Sequence, residues 1–239
     1  KDIGGKDDGC TWTKKDWFGP SVSFANCSGE TGTQEYTKTG DIWPLQVGKT
    51  ESYAPTALML ELSNYFAAME KEITANGNGT IDKYIGDAIM AFWGAPLDSE
   101  EHAYLACKSV LEMELRLKDI TKKFTDSGMP EPIVRYGINS GPMVVGNMGS
   151  GKRFNYTVMG DNVNLAARLE PANKIFGTRM LLSENTQSFL KDEFLLREVA
   201  LLQVKGKNKP LRIYELQAFR DDADSNLVEF DRHFHEALS

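Results

Sequence analysis

Residues 79–96, GTIDKYIGDAIMAFWGAP, constrain the fold of this chain more than any other run. Two short apolar β-type segments flank Ile85-Gly86-Asp87, the pattern of a β-hairpin with a carboxylate at its tip. A second run, residues 154–170, reads FNYTVMGDNVNLAARLE: a short strand stops at Gly160 and a helix begins. Asn164 and Arg168 lie four positions apart on that helix, so both side chains leave from one face. Each run sets polar residues into an apolar pattern where a packed core would not place them for its own sake.

The flanking segments extend the pattern. From Pro55 an apolar stripe of Leu58, Leu62, Tyr65, Phe66, Met69 and Ile73 has the helical period, and Asn76-Gly77-Asn78-Gly79 ends it. A second amphipathic helix opens at Asp98-Ser99-Glu100-Glu101, where early acids suit a helix N-terminus. It runs through Leu105, Val110, Leu111, Met113, Leu115, Leu117 and Ile120 and stops near Gly128-Met129-Pro130. Residues 133–139 and 143–148 read as strands around Ser140-Gly141-Pro142, with a further strand at 178–183 and a short helix at 185–194. Residues 200–205 and 211–217 form a closing hairpin, and 227–238 a short helix with Leu227, Phe230, Phe234 and Leu238 on one side. This order predicts an α+β, ferredoxin-like (βαββαβ) sandwich with a C-terminal αβ extension. Residues 1–40, Gly-rich and without sustained periodicity, predict an arm or linker; 41–220 predict the domain and 221–239 a tail with a short amphipathic helix.

The 239 residues suffice for one large domain with a real core. A net charge of −7 argues against bulk binding of nucleic acid or anionic membrane. Cys10, Cys27 and Cys107 lie far apart without ligand spacing, which predicts free thiols in a reducing compartment. No apolar run reaches membrane-spanning length and no signal peptide is present, so a cytoplasmic location is expected. The missing initiator Met leaves room for an upstream sensor or membrane domain.

Over about residues 53 to 217 the two runs closely resemble the catalytic domain of class III nucleotide cyclases, the adenylyl and guanylyl cyclases. The resemblance implies the fold above and cyclisation of a nucleoside triphosphate to a 3′,5′-cyclic monophosphate, with release of pyrophosphate. It implies two divalent ions per site, Mg²⁺ or Mn²⁺, held by two Asp residues. Asp87 in KYIGDAIMAF matches one of them. For the other, Asp41 in TGDIWPL has nearly the family's spacing, although the Gly-Phe-Thr that should follow is missing. A rival alignment places SVSFANCSGET there, with Asn26 in the Asp position.

By the same resemblance Lys83 and Thr157 read the purine. Lys offers only donors and suits the N1 acceptor of adenine, while the Thr hydroxyl can accept from the 6-amino group. The pair therefore points to ATP. Asn164 and Arg168 match the residues that hold the ribose and neutralise transition-state charge, and Lys205 a residue that binds the β/γ-phosphates. Pro142 replaces an Arg that often contacts phosphate in the family, a role open to Lys152 or Arg153. In such cyclases metal and base residues sit on opposite faces of one domain, so the resemblance implies a head-to-tail homodimer with two shared sites. The reading is an adenylyl cyclase; its alternatives are a cyclase-like nucleotide-binding regulatory module and a guanylyl cyclase.

Overall fold

The computed structural model describes residues 55–126, 128, 131–150, 153–203 and 210–238, together with three short N-terminal strands. Those strands, β1 (Lys6–Asp7), β2 (Cys10–Thr13) and β3 (Phe24–Asn26), pair as an antiparallel sheet in the order β1-β2-β3. They fall in the segment that the sequence reads as an arm.

Helix α1 (Pro55–Thr74) buries Tyr65, Met69 and Ile73, with Leu62 and Phe66 packed half-buried beside them. These are the expected stripe residues, and burying each large side chain contributes roughly 2 kcal/mol. Helix α2 (His102–Asp126) lies against α1 and buries Val110, Leu111, Met113, Leu117, Ile120 and Phe124 in the same core. It begins after the predicted acidic opening, because Glu100 and Glu101 form a turn in which the Ser99 carbonyl accepts the His102 N–H. Leu115, counted in the stripe, faces solvent on the opposite side of the helix.

Between these helices β4 (Thr80–Ile85) and β5 (Ala88–Phe92) form the expected hairpin. Ile85 pairs with Ala88, which leaves Gly86-Asp87 as a two-residue loop. Gly86 has φ 64°, a conformation that suits glycine and that tight hairpins require. The hairpin packs its Tyr84 ring on Phe66 of α1, with centroids 4.6 Å apart.

The main sheet has the order β10-β11-β9-β6, built from β6 (Tyr136–Ile138), β9 (Met180–Ser183), β10 (Phe194–Leu202) and β11 (Leu211–Phe219). Strand β6 runs parallel to β9, and the other pairs are antiparallel. A separate arm, β7 (Val144–Ser150) with β8 (Arg153–Met159), pairs Gly146 with Thr157. Helix α3 (Asp161–Phe176) buries Leu165 and Leu169 against Leu181 and Ile213 of the sheet. Helix α4 (Glu184–Gln187) is capped by Ser183, whose hydroxyl accepts the Thr186 N–H. Helix α5 (Ser225–Leu238) closes the described chain.

The α+β class holds, while several boundaries move. The helix expected at 185–194 ends at Gln187, and Phe194 instead starts β10, where the sheet buries it beside Phe219. The strand expected at 133–139 shrinks to three residues, following a segment in which Pro132 lacks a donor for any ladder. The 200–205 strand begins earlier, at Phe194. Among the described residues no helix is long and apolar enough to cross a membrane.

Candidate active site

The two motif runs meet at their polar residues. Lys83 on β4 donates from Nζ to Thr157 Oγ1 on β8 at 3.2 Å, across a sequence separation of 74 positions. Thr157 is buried, while the Lys83 side chain is 44% exposed. The residue that joins them is Asp82, whose side chain is fully enclosed. Its Oδ2 accepts the Thr157 hydroxyl at 2.5 Å and the Val158 N–H at 3.1 Å. Its Oδ1 lies 3.1 Å from Lys83 Nζ.

Simple strand alternation would send the Asp82 and Lys83 side chains to opposite faces. The ladder shows why they converge: Ile81 pairs with Ala91 and Lys83 with the adjacent Met90, so Asp82 is the extra residue of a bulge. A bulge bends the strand and re-aims a side chain. Sequence reasoning missed Asp82 for this reason. The available signal was a charged residue inside a strand, one that burial would force to find partners.

Asp87 sits in the loop at the hairpin tip, partly buried, with one carboxylate oxygen enclosed. Its charge reaches the core: the Tyr65 phenol is held far above its usual range, by burial first and then by Asp87 and Glu114. A carboxylate fixed on a two-residue hairpin loop suits one ligand position of a divalent cation. Asp41 lies outside the described residues, as does Lys205. Among the described residues no cluster of three or more His, Cys, Asp or Glu could hold a metal on its own. Asp87 fits as one ligand of such an ion.

Asn164 and Arg168 project from the first half of α3, Asn164 exposed and Arg168 half-buried. Two contacts fix this helix. Gly137 on β6 lets it approach so closely that an added Cβ would stand 2.3 Å from the Ala166 carbonyl oxygen. Buried Asn173 donates to the Tyr136 carbonyl at 2.9 Å and accepts the Thr178 hydroxyl at 2.8 Å. The loop before the arm is tied to the helix by Asn162, which donates to the Pro142 carbonyl at 3.0 Å. Pro142 and Arg153 are exposed, and Lys152 lies outside the described residues.

A family profile described as the adenylate and guanylate cyclase catalytic domain matches residues 46–218, well over half of the chain. The chain belongs to the class III nucleotide cyclase family. This class III cyclase domain is 38% identical over 167 residues to adenylate cyclase 1 of Rhizobium meliloti, covering 70% of this chain and 25% of that protein. It is 36% identical over 174 residues to the adenylate cyclase of Anabaena cylindrica, covering 71% and 34% respectively. The match thus spans only a quarter to a third of these relatives' lengths.

Two solved structures carry the same fold. The adenylyl cyclase CyaB from P. aeruginosa superposes with a TM-score of 0.65 at 34% identity, covering 73% of this chain and 89% of that one. The guanylyl cyclase Cya2 superposes with a TM-score of 0.66 at 30% identity, covering 74% and 88%. One of these neighbours is named for adenylyl and the other for guanylyl cyclase activity.

Proposed function

We propose that this cyclase domain is an adenylyl cyclase, converting ATP to 3′,5′-cyclic AMP and pyrophosphate. The observation that carries the reading is the Lys83–Thr157 pair, seated on Asp82. Lys83 presents only N–H donors, which match the N1 acceptor of adenine and oppose the N1–H of guanine. The adenylate cyclases among its relatives support the same choice.

In the reaction the ribose 3′-oxygen bonds to the α-phosphorus and gives up its proton to solvent, while the bond from that phosphorus to the bridging oxygen breaks. Pyrophosphate leaves with the electron pair. Divalent ions, when bound, lower the basicity of the attacking oxygen and offset charge on the leaving group. Asp87, together with Asp41, would hold them. Arg168 opposes the charge that builds on the α-phosphoryl oxygens, with a planar fork suited to two of them, and Asn164 on the same face orients the ribose. Lys205 would grip the β/γ-phosphates.

A working site assembles from two copies arranged head to tail, with Asp41 and Asp87 from one and Lys83, Thr157, Asn164 and Arg168 from the other. The apolar surface supports this assembly. Val144, Phe154 and Met159 on the β7–β8 arm and Ile85 at the hairpin are large, exposed and apolar. The test is incubation with ATP or GTP and Mn²⁺, with chromatographic separation of products beside an Asp87→Asn control. Cyclic AMP from the unaltered protein alone is expected. Cyclic GMP would favour the guanylyl reading, and nucleotide binding without product would favour a regulatory module.

A further inference from the structure

We propose that Asp82 is a positioning residue that sets adenine selectivity by dictating which way the Thr157 hydroxyl points. The proposal rests on the adenylyl reading of the Lys83–Thr157 pair. A threonine hydroxyl is by nature ambiguous, since it can donate to a carbonyl or accept from an amine by rotating its proton. Alone, it would tolerate the 6-oxo group of guanine as readily as the 6-amino group of adenine.

The neighbours of Thr157 remove that freedom. An ionised carboxylate can only accept, so the 2.5 Å contact to Asp82 Oδ2 commits the Thr157 proton to Asp82. An ammonium can only donate, so the 3.2 Å contact from Lys83 uses a Thr157 lone pair. The hydroxyl is left as a pure acceptor toward any base, able to take a hydrogen bond from a 6-amino group and unable to give one to a 6-oxo group. The Val158 N–H and the Lys83 ammonium fix Asp82 in turn, and the β4 bulge aims it. Its full enclosure keeps water from competing for the Thr157 proton.

Asp82→Asn tests this at nearly constant shape. If the asparagine oxygen stays on Val158, its NH₂ faces the Lys83 ammonium and displaces it. If the amide flips, its NH₂ donates to Thr157 and turns that hydroxyl outward as a donor. Either orientation relaxes the preference. The measurement is the ratio of kcat/KM for ATP over GTP, with competition of ATP and GTP against a fluorescent ATP analogue as a readout independent of turnover. The Asp82→Asn ratio is expected to fall about tenfold, because a site built for one hydrogen-bonding pattern loses its penalty against the other. A purely structural role would lower both nucleotides together and leave the ratio intact.

Thr157→Val, which keeps the shape, should lower the ratio to a similar degree, and Thr157→Ser should retain it. In the double variant Asp82→Asn/Thr157→Val the two effects should not fully add, since Asp82, Lys83 and Thr157 form one hydrogen-bonded cluster. An unchanged ratio in Asp82→Asn, or additive losses in the double variant, overturns the proposal. Should Asp82→Asn fail to fold, an unchanged ratio in Thr157→Val overturns it equally. Preference of the unaltered protein for GTP would instead sink the adenylyl reading beneath it.

Discussion

Lys83 Nζ and Thr157 Oγ1 stand 3.2 Å apart although they come from different hairpins. Neither β4 nor β8 hydrogen-bonds to the other as a strand. The hairpins meet instead through side chains of β4, with Thr157 and the Val158 N–H of β8 as their partners, and this brings the two motif runs to a single point.

Replacing Lys83 by Met should remove the base-reading donor while keeping the apolar stem. The expected loss in kcat/KM for ATP is about 10- to 100-fold, the range for losing a charged hydrogen bond to substrate. Steady-state kinetics with the melting temperature as a fold control would check it. Unchanged kinetics would remove Lys83 from the site.

Mixing an Asp87→Asn chain with an Arg168→Ala chain should restore activity that neither variant has alone. In a random one-to-one mixture half of the dimers are mixed, each with one intact site, so about a quarter of the unaltered activity is expected. Mass spectrometry of the intact dimers would establish mixing. Mixed dimers without activity would contradict the shared site.

Gly137→Ala should strike the site through the fold. Its Cβ would meet the Ala166 oxygen at 2.3 Å and the Glu170 nitrogen at 2.5 Å, both rigid backbone atoms, so α3 must move outward. A loss of about 2 kcal/mol in stability is expected from such overpacking. Turnover should fall as well, because Asn164 and Arg168 ride on α3. Urea unfolding and kinetics on the folded fraction would separate the two effects.

Burial pushes the Glu170 carboxyl up to about 6, against an opposing pull from Arg135. An acid whose folded value is raised holds its proton more tightly when folded. Stability is thus complete below the ordinary glutamate range and is lost as pH rises through about 6. Glu170→Gln should then stabilise the protein by about 1 kcal/mol at pH 8 and change little at pH 4. Denaturant melts at the two pH values would show it, and a gain at pH 4 alone would reverse the sign.

Sequence by itself determined the local elements, because each rests on a short-range pattern. The β4–β5 hairpin follows from apolar runs around Gly86, and the shared face of Asn164 and Arg168 from a four-residue spacing on α3. The buried stripe of Tyr65, Met69 and Ile73 follows from the helical period. Tertiary structure decided what those patterns do not encode. Phe194 became a strand residue because the sheet core could bury it beside Phe219. Gly137 proved to be the seat of α3, which only the facing helix reveals. The bulge at Asp82 overrode strand alternation and carried a carboxylate inward to Thr157. The physical reason is common to all three. An enclosed side chain, apolar or polar, and a close backbone approach are each defined by their partners, and those partners lie far away along the chain.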